Sequence, residues 1–451
     1  MVTDTVRPRT LARSILFALT VALAALTACP HPGWAQTLGS DIVCGKTAEK
    51  RKLDAADLPD ITAEHAIIVG EDGTVYFERD ADAPVKIASI TKVMTAIVTL
   101  ENTKPSETLS VDKEAADVTG SSAELQEGDT LTVEQALRGL MIPSGNDAAL
   151  ALAKYVGSRI DSKSDDPVKT FVEAMNKKAE ELGLEDTLYE NPHGLDIDEW
   201  AGDLHSTARD VEKVFAYAMK NETFRKTVNY TDSNITVTSA DGTERTYPMQ
   251  THNELLGQNG EIGGKSGTTD DAGYCFASAY DNDGDKIYIV VLHADTDANR
   301  YNDTAALASW YYGHHKALNP FNTAKATLDK TPLVGYASLA DWSDKTVAVT
   351  PKDPADTVKA FTLEGDIKEA YEYDDRLTGD IKKGDKVGTL TVTQNGKKLK
   401  TFELVAAEDA PAPGIVDRVL VGLDRLFRFC EGKPTHAESV TVAASTPKDA
   451  A

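Results

Sequence analysis

Ser89 and Lys92 lie three positions apart at the start of the apolar run KIASITKVMTAIVTL. Residues at this spacing share one face of a helix, so the lysine amine can reach the serine hydroxyl. Serine becomes an effective nucleophile when a neighbouring base removes its proton, and lysine is a base only while it is neutral. The two residues are therefore a candidate nucleophile and general base.

The Ser-x-x-Lys pattern is not specific by itself, because it occurs three times in this chain. Roughly two occurrences are expected from average composition. The copy at Ser110 has no apolar stripe beside it, and the copy at Ser445 contains Pro447, which opposes a helix. Only Ser89 begins a predicted helix whose apolar residues have the spacing of a buried stripe: Ile90, Val93, Met94, Ile97 and Val98.

Two later motifs supply polar groups that would complete such a site. Ser144-Gly145-Asn146 is the one Ser-x-Asn in the chain and falls between two predicted helices, where a turn and helix cap would also explain it. Lys265-Ser266-Gly267 begins a predicted strand, where an exposed strand start is the simpler interpretation. A charged Lys265 would lower the pKa of Lys92 and attract a substrate carboxylate. Gly267 would let a substrate backbone approach as an added strand.

In this order, the three motifs resemble the set found in penicillin-binding proteins and class A β-lactamases. The stretches IASITKVMTA, MIPSGNDAALALA, NPHGLD, HSTARD and GGKSGTTDDAGYCF are most similar to D-alanyl-D-alanine carboxypeptidases, the low-molecular-mass penicillin-binding proteins of serine peptidase family S11. The resemblance runs from Ile61 to Cys430. It implies an α/β (α+β) fold of the serine β-lactamase/DD-peptidase type, with an antiparallel sheet flanked by helices, then a small all-β domain and an amphipathic helix.

The resemblance also implies a role for each motif residue. Ser89 would attack the penultimate D-Ala carbonyl of a peptidoglycan stem peptide, Lys92 would be the general base, and Ser144 would relay a proton to the leaving D-alanine. Asn146 would orient Lys92 and bind the substrate amide. Backbone N–H groups of Ser89 and Thr268 would form an oxyanion hole. The implied substrate-binding residues are Asn146, Lys265, Ser266, Gly267 and Thr268, and β-lactams would acylate the same serine.

Two positions depart from the usual family pattern, and two other functions remain open. Ser266 stands where threonine is commoner, which keeps a hydroxyl, and His252 stands where relatives place a basic residue. A β-lactamase would need a carboxylate to activate water, and Glu190 and Asp196 near NPHGL are candidates. A penicillin-binding sensor that is acylated without turnover is the remaining alternative.

The elements that would position these residues alternate between strand and helix. His65 to Asp80 predicts a hairpin around Asp72-Gly73, and a second hairpin follows Gly264 with its turn at Asp283-Gly284. A capping box formed by Thr132 and Gln135 predicts the start of a helix that Pro143 ends. Further helices are predicted from Asn146 to Gly157, from Val168 to Leu182 and from Asp303 to His315.

The chain divides by composition into several segments. We predict a catalytic domain over residues 36–322, a β-rich domain over 328–406, a linker over 407–414 and a disordered tail over 431–451. Between linker and tail, Ile415 to Cys430 has apolar residues on one face and charges on the other. That helix resembles the family's membrane anchor, lying in the membrane interface, although docking on the β-rich domain is the alternative.

The N-terminal residues predict export. Arg7, Arg9 and Arg13 precede an apolar stretch typical of a secretory signal, so residues 1–35 are the predicted signal peptide with cleavage after Ala35. The stretch LTAC, which ends at Cys29, also resembles a lipoprotein box, so lipidation there is the alternative. The predicted location is the outer face of the bacterial cytoplasmic membrane, in the cell wall space.

Composition excludes several classes of partner. The net charge is −25, from 72 acidic and 47 basic residues, which argues against nucleic acid as a partner. Four cysteines in 451 residues exclude a disulfide scaffold, and cleavage after Ala35 would leave Cys44, Cys275 and Cys430. No cluster of cysteine and histidine has zinc-site spacing in the sequence. We therefore predict no metal and no cofactor.

Overall fold

The computed structural model describes residues 41–230, 233–321 and 323–442, together with the backbone of residues 448 and 449. The predicted signal peptide over residues 1–35 and the Ser-x-x-Lys copy at Ser445 lie outside the described residues. The chain forms two compact units, which divide after Ala308.

The first unit is built around an antiparallel sheet of seven strands in the order β2-β1-β4-β3-β11-β10-β9. The two predicted hairpins are the pairs β3–β4 and β10–β11, and Asp283 and Gly284 both have the positive φ that a type I′ turn needs. A smaller sheet has the order β5-β6-β7-β8. The strands are β1 Asp41–Val43, β2 Lys46–Thr47, β3 His65–Gly70, β4 Val75–Arg79, β5 Thr108–Ser110, β6 Thr130–Thr132, β7 Ser233–Thr238, β8 Glu244–Met249, β9 Glu261–Thr269, β10 Gly273–Asn282 and β11 Asp285–Ala294.

Helices cover the apolar face of the large sheet and enclose the core of this unit. The helix that begins at Lys92 is buried over most of its length, which explains its apolar stripe. The described helices, in chain order, are α1 Ala48–Arg51, α2 Lys92–Asn102, α3 Lys113–Asp117, α4 Val133–Met141, α5 Asn146–Ile160, α6 Pro167–Glu181, α7 Ala208–Ala218, α8 Glu222–Val228 and α9 Asp297–His314. The α/β (α+β) fold predicted from the sequence, an antiparallel sheet flanked by helices, is therefore confirmed for this unit.

Two local predictions were wrong in detail. Gly157 does not end α5, because the helix continues to Ile160. A Cβ at Gly157 would lie 1.8 Å from the carbonyl oxygen of Pro167, so the glycine allows α5 and α6 to approach closely. Thr132 does cap α4 by accepting the Gln135 N–H, but the Gln135 side chain accepts the N–H of Thr236 on β7, away from the cap.

The second unit is mainly β structure. Six strands form a sheet in the order β16-β17-β18-β14-β13-β19, and three form a sheet in the order β15-β12-β20. Its strands are β12 His315–Asn319, β13 Gly335–Ser338, β14 Thr346–Pro351, β15 Val358–Phe361, β16 Ile367–Tyr373, β17 Lys386–Gln394, β18 Lys397–Ala406, β19 Val440–Thr441 and β20 Lys448–Asp449. The predicted boundary at residue 322 is too late, because β12 pairs with β15 and so belongs to this unit.

The C-terminal region contains a helix, α10, at Ile415–Cys430. Val421 is its one buried residue, and the polar side chain of Arg425 donates to the carbonyl oxygens of Ala340 and Trp342 at 2.6 and 3.1 Å. Its apolar side chains are exposed: Ile415, Val416, Val419, Leu420, Leu423, Leu426, Phe427 and Phe429. The alternative in which the apolar face docks on the β-rich unit is therefore wrong in this structure.

Part of the predicted disordered tail is a strand. Val440 and Thr441 pair with Tyr336 and Gly335 on β13. An edge strand offers unpaired backbone groups to any extended segment, so this pairing needs little apolar sequence and was missed for that reason. Among the described residues, no helix has the length and hydropathy needed to cross a membrane.

Candidate active site

Ser89 lies in a short 3₁₀ turn, Ala88–Thr91, immediately before α2. Ala88 has a φ of 47°, a left-handed conformation that is costly for a residue with a side chain. Two glycines pack against this turn. A Cβ at Gly194 would lie 1.9 Å from the carbonyl oxygen of Ala88, and one at Gly267 would lie 3.1 Å from the Ser89 nitrogen. Gly267 therefore fixes strand β9 against the serine, in addition to any role toward a substrate.

The Lys92 amine is fully buried and has three oxygen neighbours. Its Nζ lies 2.8 Å from Ser89 Oγ, 2.7 Å from Asn146 Oδ1 and 2.9 Å from the carbonyl oxygen of His193. Burial, reinforced by the charge of Lys265, holds the pKa of Lys92 well below its usual value, although Asp147 acts in the opposite direction. The site therefore favours the neutral amine.

The neighbours of Lys92 orient that amine. A neutral amine has two N–H donors and one lone pair, and the two oxygens from Asn146 and His193 can act only as acceptors. In the neutral amine these two acceptors would take both N–H groups, which would leave the lone pair for the Ser89 hydroxyl. Asn146 itself is held by a 2.7 Å hydrogen bond from its Nδ2 to the carbonyl oxygen of Thr119, which fixes its Oδ1 toward Lys92.

The loop NPHGLD delivers the His193 carbonyl, a contact that the sequence did not reveal. Asn191 Oδ1 accepts the N–H groups of His193 and Gly194, and Asn191 Nδ2 donates to the carbonyl oxygen of Leu195. Thr95 on α2 donates to the carbonyl oxygen of Pro192 at 2.6 Å. The loop is thus closed on itself and tied to the helix that carries Lys92.

Ser144 and Lys265 form a second buried serine–lysine contact. Lys265 Nζ donates to Ser144 Oγ at 2.9 Å and to the carbonyl oxygen of Ser266 at 2.6 Å. Burial and the nearby charge of Arg300 lower the pKa of Lys265 to about 7. Ser144 has a φ of 63°, so both serines are associated with left-handed backbone. Such strain is typical of functional sites.

Arg300 is a cation that sequence reasoning missed. It lies in α9, and its Nη1 donates to Thr268 Oγ1 at 2.6 Å and to the carbonyl oxygen of Gly267 at 3.3 Å. Thr268 is exposed, whereas Lys265 and Ser266 are buried. A single arginine in a helix carries no motif, so its approach to β9 could be seen only in three dimensions.

The other candidate residues have separate surroundings. Glu190 accepts the N–H of Leu204 at 2.9 Å, and Asp196 accepts the Thr269 hydroxyl at 2.6 Å. Neither carboxylate has a described hydrogen bond to Ser89 or Lys92. His252 is exposed, with its Nε2 3.2 Å from the carbonyl oxygen of Pro143. Ser110 is exposed at the end of β5, away from these contacts.

The structure therefore brings the three motifs together. Asn146 joins the second motif to Lys92, and Gly267 joins the third to Ser89. The family model described as D-alanyl-D-alanine carboxypeptidase, Peptidase S11, matches residues 52–296, more than half of the chain. The chain belongs to the S11 family. A second model, the C-terminal domain of penicillin-binding protein 5, matches residues 321–412.

Similar proteins cover most of this S11 chain. The D-alanyl-D-alanine carboxypeptidase DacF of Bacillus subtilis is 27% identical over 78% of this chain and 87% of its own length. DacC of Escherichia coli is 29% identical over 77% of this chain and 84% of its own length. A D-alanyl-D-alanine carboxypeptidase of Streptomyces sp. K15 is 35% identical over 53% of this chain and 82% of its own length.

Solved structures agree with this family. The Streptomyces K15 DD-transpeptidase superposes with a TM-score of 0.53 at 32% identity, over 56% of this chain and 98% of that protein. The predicted DD-peptidase fold and the predicted family are confirmed by these similarities. The roles of individual residues stay predictions.

Proposed function

We propose that this S11 protein is a serine-type D-Ala-D-Ala carboxypeptidase that forms an acyl-enzyme on Ser89. The observation that carries the proposal is the position of the buried Lys92 amine, 2.8 Å from the Ser89 hydroxyl, with two further acceptor oxygens at 2.7 and 2.9 Å. A serine hydroxyl within hydrogen-bond reach of a base is the arrangement that nucleophilic catalysis requires.

Acylation would begin when Lys92 takes the Ser89 proton as Oγ attacks the carbonyl carbon of the penultimate D-Ala. The carbonyl oxygen becomes an oxyanion, which the N–H groups of Ser89 and Thr268 would stabilise. Removing one such donor typically costs about 3–4 kcal/mol of transition-state stabilisation. The close packing of Gly267 on Ser89 supports this placement of the two donors.

Collapse of the intermediate would break the C–N bond of the terminal D-alanine. The leaving nitrogen would take a proton from Ser144, which would regain one from Lys265, 2.9 Å away. Lys265 would in turn recover the proton that Lys92 took from Ser89, so that both lysines return to their starting charge and Lys92 is again a neutral amine. Water would then attack the acyl-Ser89 ester with Lys92 again as the base, which releases the shortened peptide and restores the serine.

Two cations would bind the terminal carboxylate of the substrate. Lys265 is the predicted one, but its lowered pKa means that it carries a full charge only below about pH 7. A guanidinium is a permanent cation in proteins, and that of Arg300 donates to the exposed hydroxyl of Thr268, on the strand that carries Lys265. We therefore add Arg300 to the predicted substrate-binding residues Asn146, Lys265, Ser266, Gly267 and Thr268.

The decisive experiment measures D-alanine released from a peptide ending in D-Ala-D-Ala. We expect release by the native chain and loss of at least about 10³-fold in Ser89→Ala, with Ser110→Ala as the matched control that keeps full activity. Penicillin acylation without D-alanine release would instead identify a sensor. Rapid penicillin hydrolysis would identify a β-lactamase, and peptide transfer to an added amine would identify a transpeptidase.

We further propose that the N-terminal signal directs export of the protein. The helix α10 would then hold it at the outer face of the cytoplasmic membrane. The exposed apolar side chains of this helix support the proposal, because a large apolar patch on a protein surface marks a site of interaction with another protein or a membrane. The polar side that carries Arg425 is occupied by the β-rich unit, which leaves the apolar side free for a lipid interface.

Sedimentation with lipid vesicles tests the membrane proposal. Leu423→Glu combined with Phe427→Glu should abolish binding of the full chain, because two charges would enter the apolar interface. Val440→Glu changes an exposed apolar residue outside the helix and should leave binding unchanged. Equal binding by all three proteins would contradict a role for α10.

A further inference from the structure

Three potential metal ligands meet at one end of the large sheet, around β3 and β11, with β10 between β11 and the strand that carries Lys265. Glu64, His65 and His293 each place one ligand atom so that all three atoms lie within 4.8 Å of one another. Glu64 is exposed, His293 is half-buried and His65 is buried. Within the described part of the chain, this is the one group of three or more such side chains with that geometry.

The two histidines come from neighbouring strands. His65 begins β3, and its register partner on β11 is Leu292, the residue before His293. Side chains alternate between the faces of a regular strand, so His293 would normally point away from the face that carries Leu292 and His65. Its φ of 57° departs from strand geometry and breaks this alternation. A costly left-handed conformation thus accompanies the placement of the ring beside His65.

The surroundings of His65 resemble those of a metal-binding histidine. Its Nδ1 lies 2.9 Å from the carbonyl oxygen of Asp80 and 3.3 Å from the Asp80 carboxylate. A proton on Nδ1 would be shared with these oxygens, which leaves the lone pair on Nε2. Histidines that bind metals usually donate their other ring nitrogen to a carbonyl or carboxylate in this way.

We infer that Glu64, His65 and His293 form a binding site for a divalent zinc ion. Two imidazoles and one carboxylate match the nitrogen and oxygen ligands that Zn²⁺ accepts, and water would supply a fourth ligand. Ligands about 2.0–2.2 Å from a tetrahedral ion lie roughly 3.4 Å apart. The exposed Glu64 side chain can rotate to shorten the present separations.

Such an ion would link the start of β3 to the end of β11. The site is structural in this inference, because none of its residues contacts Ser89, Lys92 or Lys265 in a described hydrogen bond. Ca²⁺ and Mg²⁺ should bind poorly, since both prefer oxygen ligands alone. The inference is independent of the peptidase proposal.

The test uses the full chain without an affinity tag, in a Cys430→Ser background that removes the exposed thiol. After treatment with a chelator, Zn²⁺ is titrated against a chromogenic chelator and the melting temperature is recorded. We expect one equivalent to bind, and the melting temperature to rise by about 5 °C at a hundredfold excess over the dissociation constant. Mg²⁺ should cause neither effect.

Two variants separate ligation from folding. Glu64→Gln changes an exposed side chain, and His293→Gly places a residue that tolerates a φ of 57°. Each should weaken zinc binding at least about tenfold, while the metal-free variants melt no lower than the parent chain. His205→Asn is the matched control, because His205 has a carboxylate neighbour, Asp203, and the described residues supply no third ligand there. Zinc binding that survives both variants, or no binding by the parent chain, would overturn the inference.

Discussion

The candidate active site contains two serine–lysine contacts that look alike and differ in origin. The Nζ to Oγ distances are 2.8 Å for Lys92 with Ser89 and 2.9 Å for Lys265 with Ser144, and both lysines are buried. The first contact is local, between residues three positions apart at one helix start. The second joins residues 121 positions apart, on a helix junction and a strand. The same chemical pair is thus built once by local geometry and once by the fold.

The surroundings of the two lysines explain why one pair can hold a base and the other an acid. Lys92 has two further acceptor oxygens and lies near the charge of Lys265, and its pKa is held well below the usual value. Lys265 has one further acceptor, and its pKa is lowered to about 7. The two lysines therefore differ in the fixed acceptor oxygens around the amine, and this difference is the basis for proposing one as the base and the other as the acid.

The largest effect should come from removing the base of the local pair. Lys92→Gln should reduce the rate of acylation by a β-lactam by about 10³–10⁴-fold, the range for a positioned general base. Lys265→Gln should reduce it by about 10–10²-fold, because the base remains. The measurement is the second-order acylation rate, with circular dichroism as the check on folding. Equal losses in the two folded variants would contradict the division of roles.

An intermediate effect should appear in the pH dependence of activity, through the long-range pair of Lys265 and Ser144. Below about pH 7 Lys265 is charged and attracts the substrate carboxylate, and above that pH the attraction is lost. The profile of kcat/KM for D-alanine release should therefore fall as pH rises through about 7. Lys265→Arg should move this fall upward by more than one pH unit, because arginine does not titrate there. The position of the fall is the readout, whatever the absolute rate.

A fall at the same pH in Lys265→Arg would assign that titration to another group. His252 is a suitable second variant, since its imidazole lies near Lys265 and stands at a position where relatives place a basic residue. His252→Gln should leave the position of the fall unchanged if Lys265 is responsible. The pH at which kcat/KM falls in each variant thus identifies the titrating group.

How far the sequence could predict this site depends on where each contact is encoded. Ser89 and Lys92 were found because their spacing and the stripe beside them are local, and the β10–β11 turn was found because Asp283-Gly284 specifies its own backbone. The His193 carbonyl was missed, since every residue carries a backbone carbonyl and the sequence does not mark the one that contacts Lys92. Arg300 was missed because it reaches β9 from a helix outside every motif.

The prediction of no metal has the same cause, because the proposed zinc ligands are also far apart in the sequence. Zinc motifs recognised in sequence have ligands a few residues apart, whereas His65 and His293 become neighbours only when β3 pairs with β11. The packing of α5 on α6 is a similar example. Gly157 was predicted to end a helix, whereas its role is to make room for the carbonyl oxygen of Pro167. Contacts made by the pairing of distant elements were the ones that spacing could not reveal.

The smallest expected effect tests whether backbone strain contributes to the local pair. Ala88→Gly relieves a φ of 47° next to Ser89, a gain of about 1 kcal/mol, and removes a buried methyl group worth about 0.8 kcal/mol. The free energy of unfolding in urea should therefore change by less than about 1 kcal/mol. If the strained alanine holds the serine in place, acylation should slow a few-fold because glycine lets the turn move. The Lys265 pH profile should stay fixed, since that pair has its own left-handed residue at Ser144. An unchanged acylation rate would mean that the packing of Gly194 and Gly267 positions Ser89 without help from the strain at Ala88.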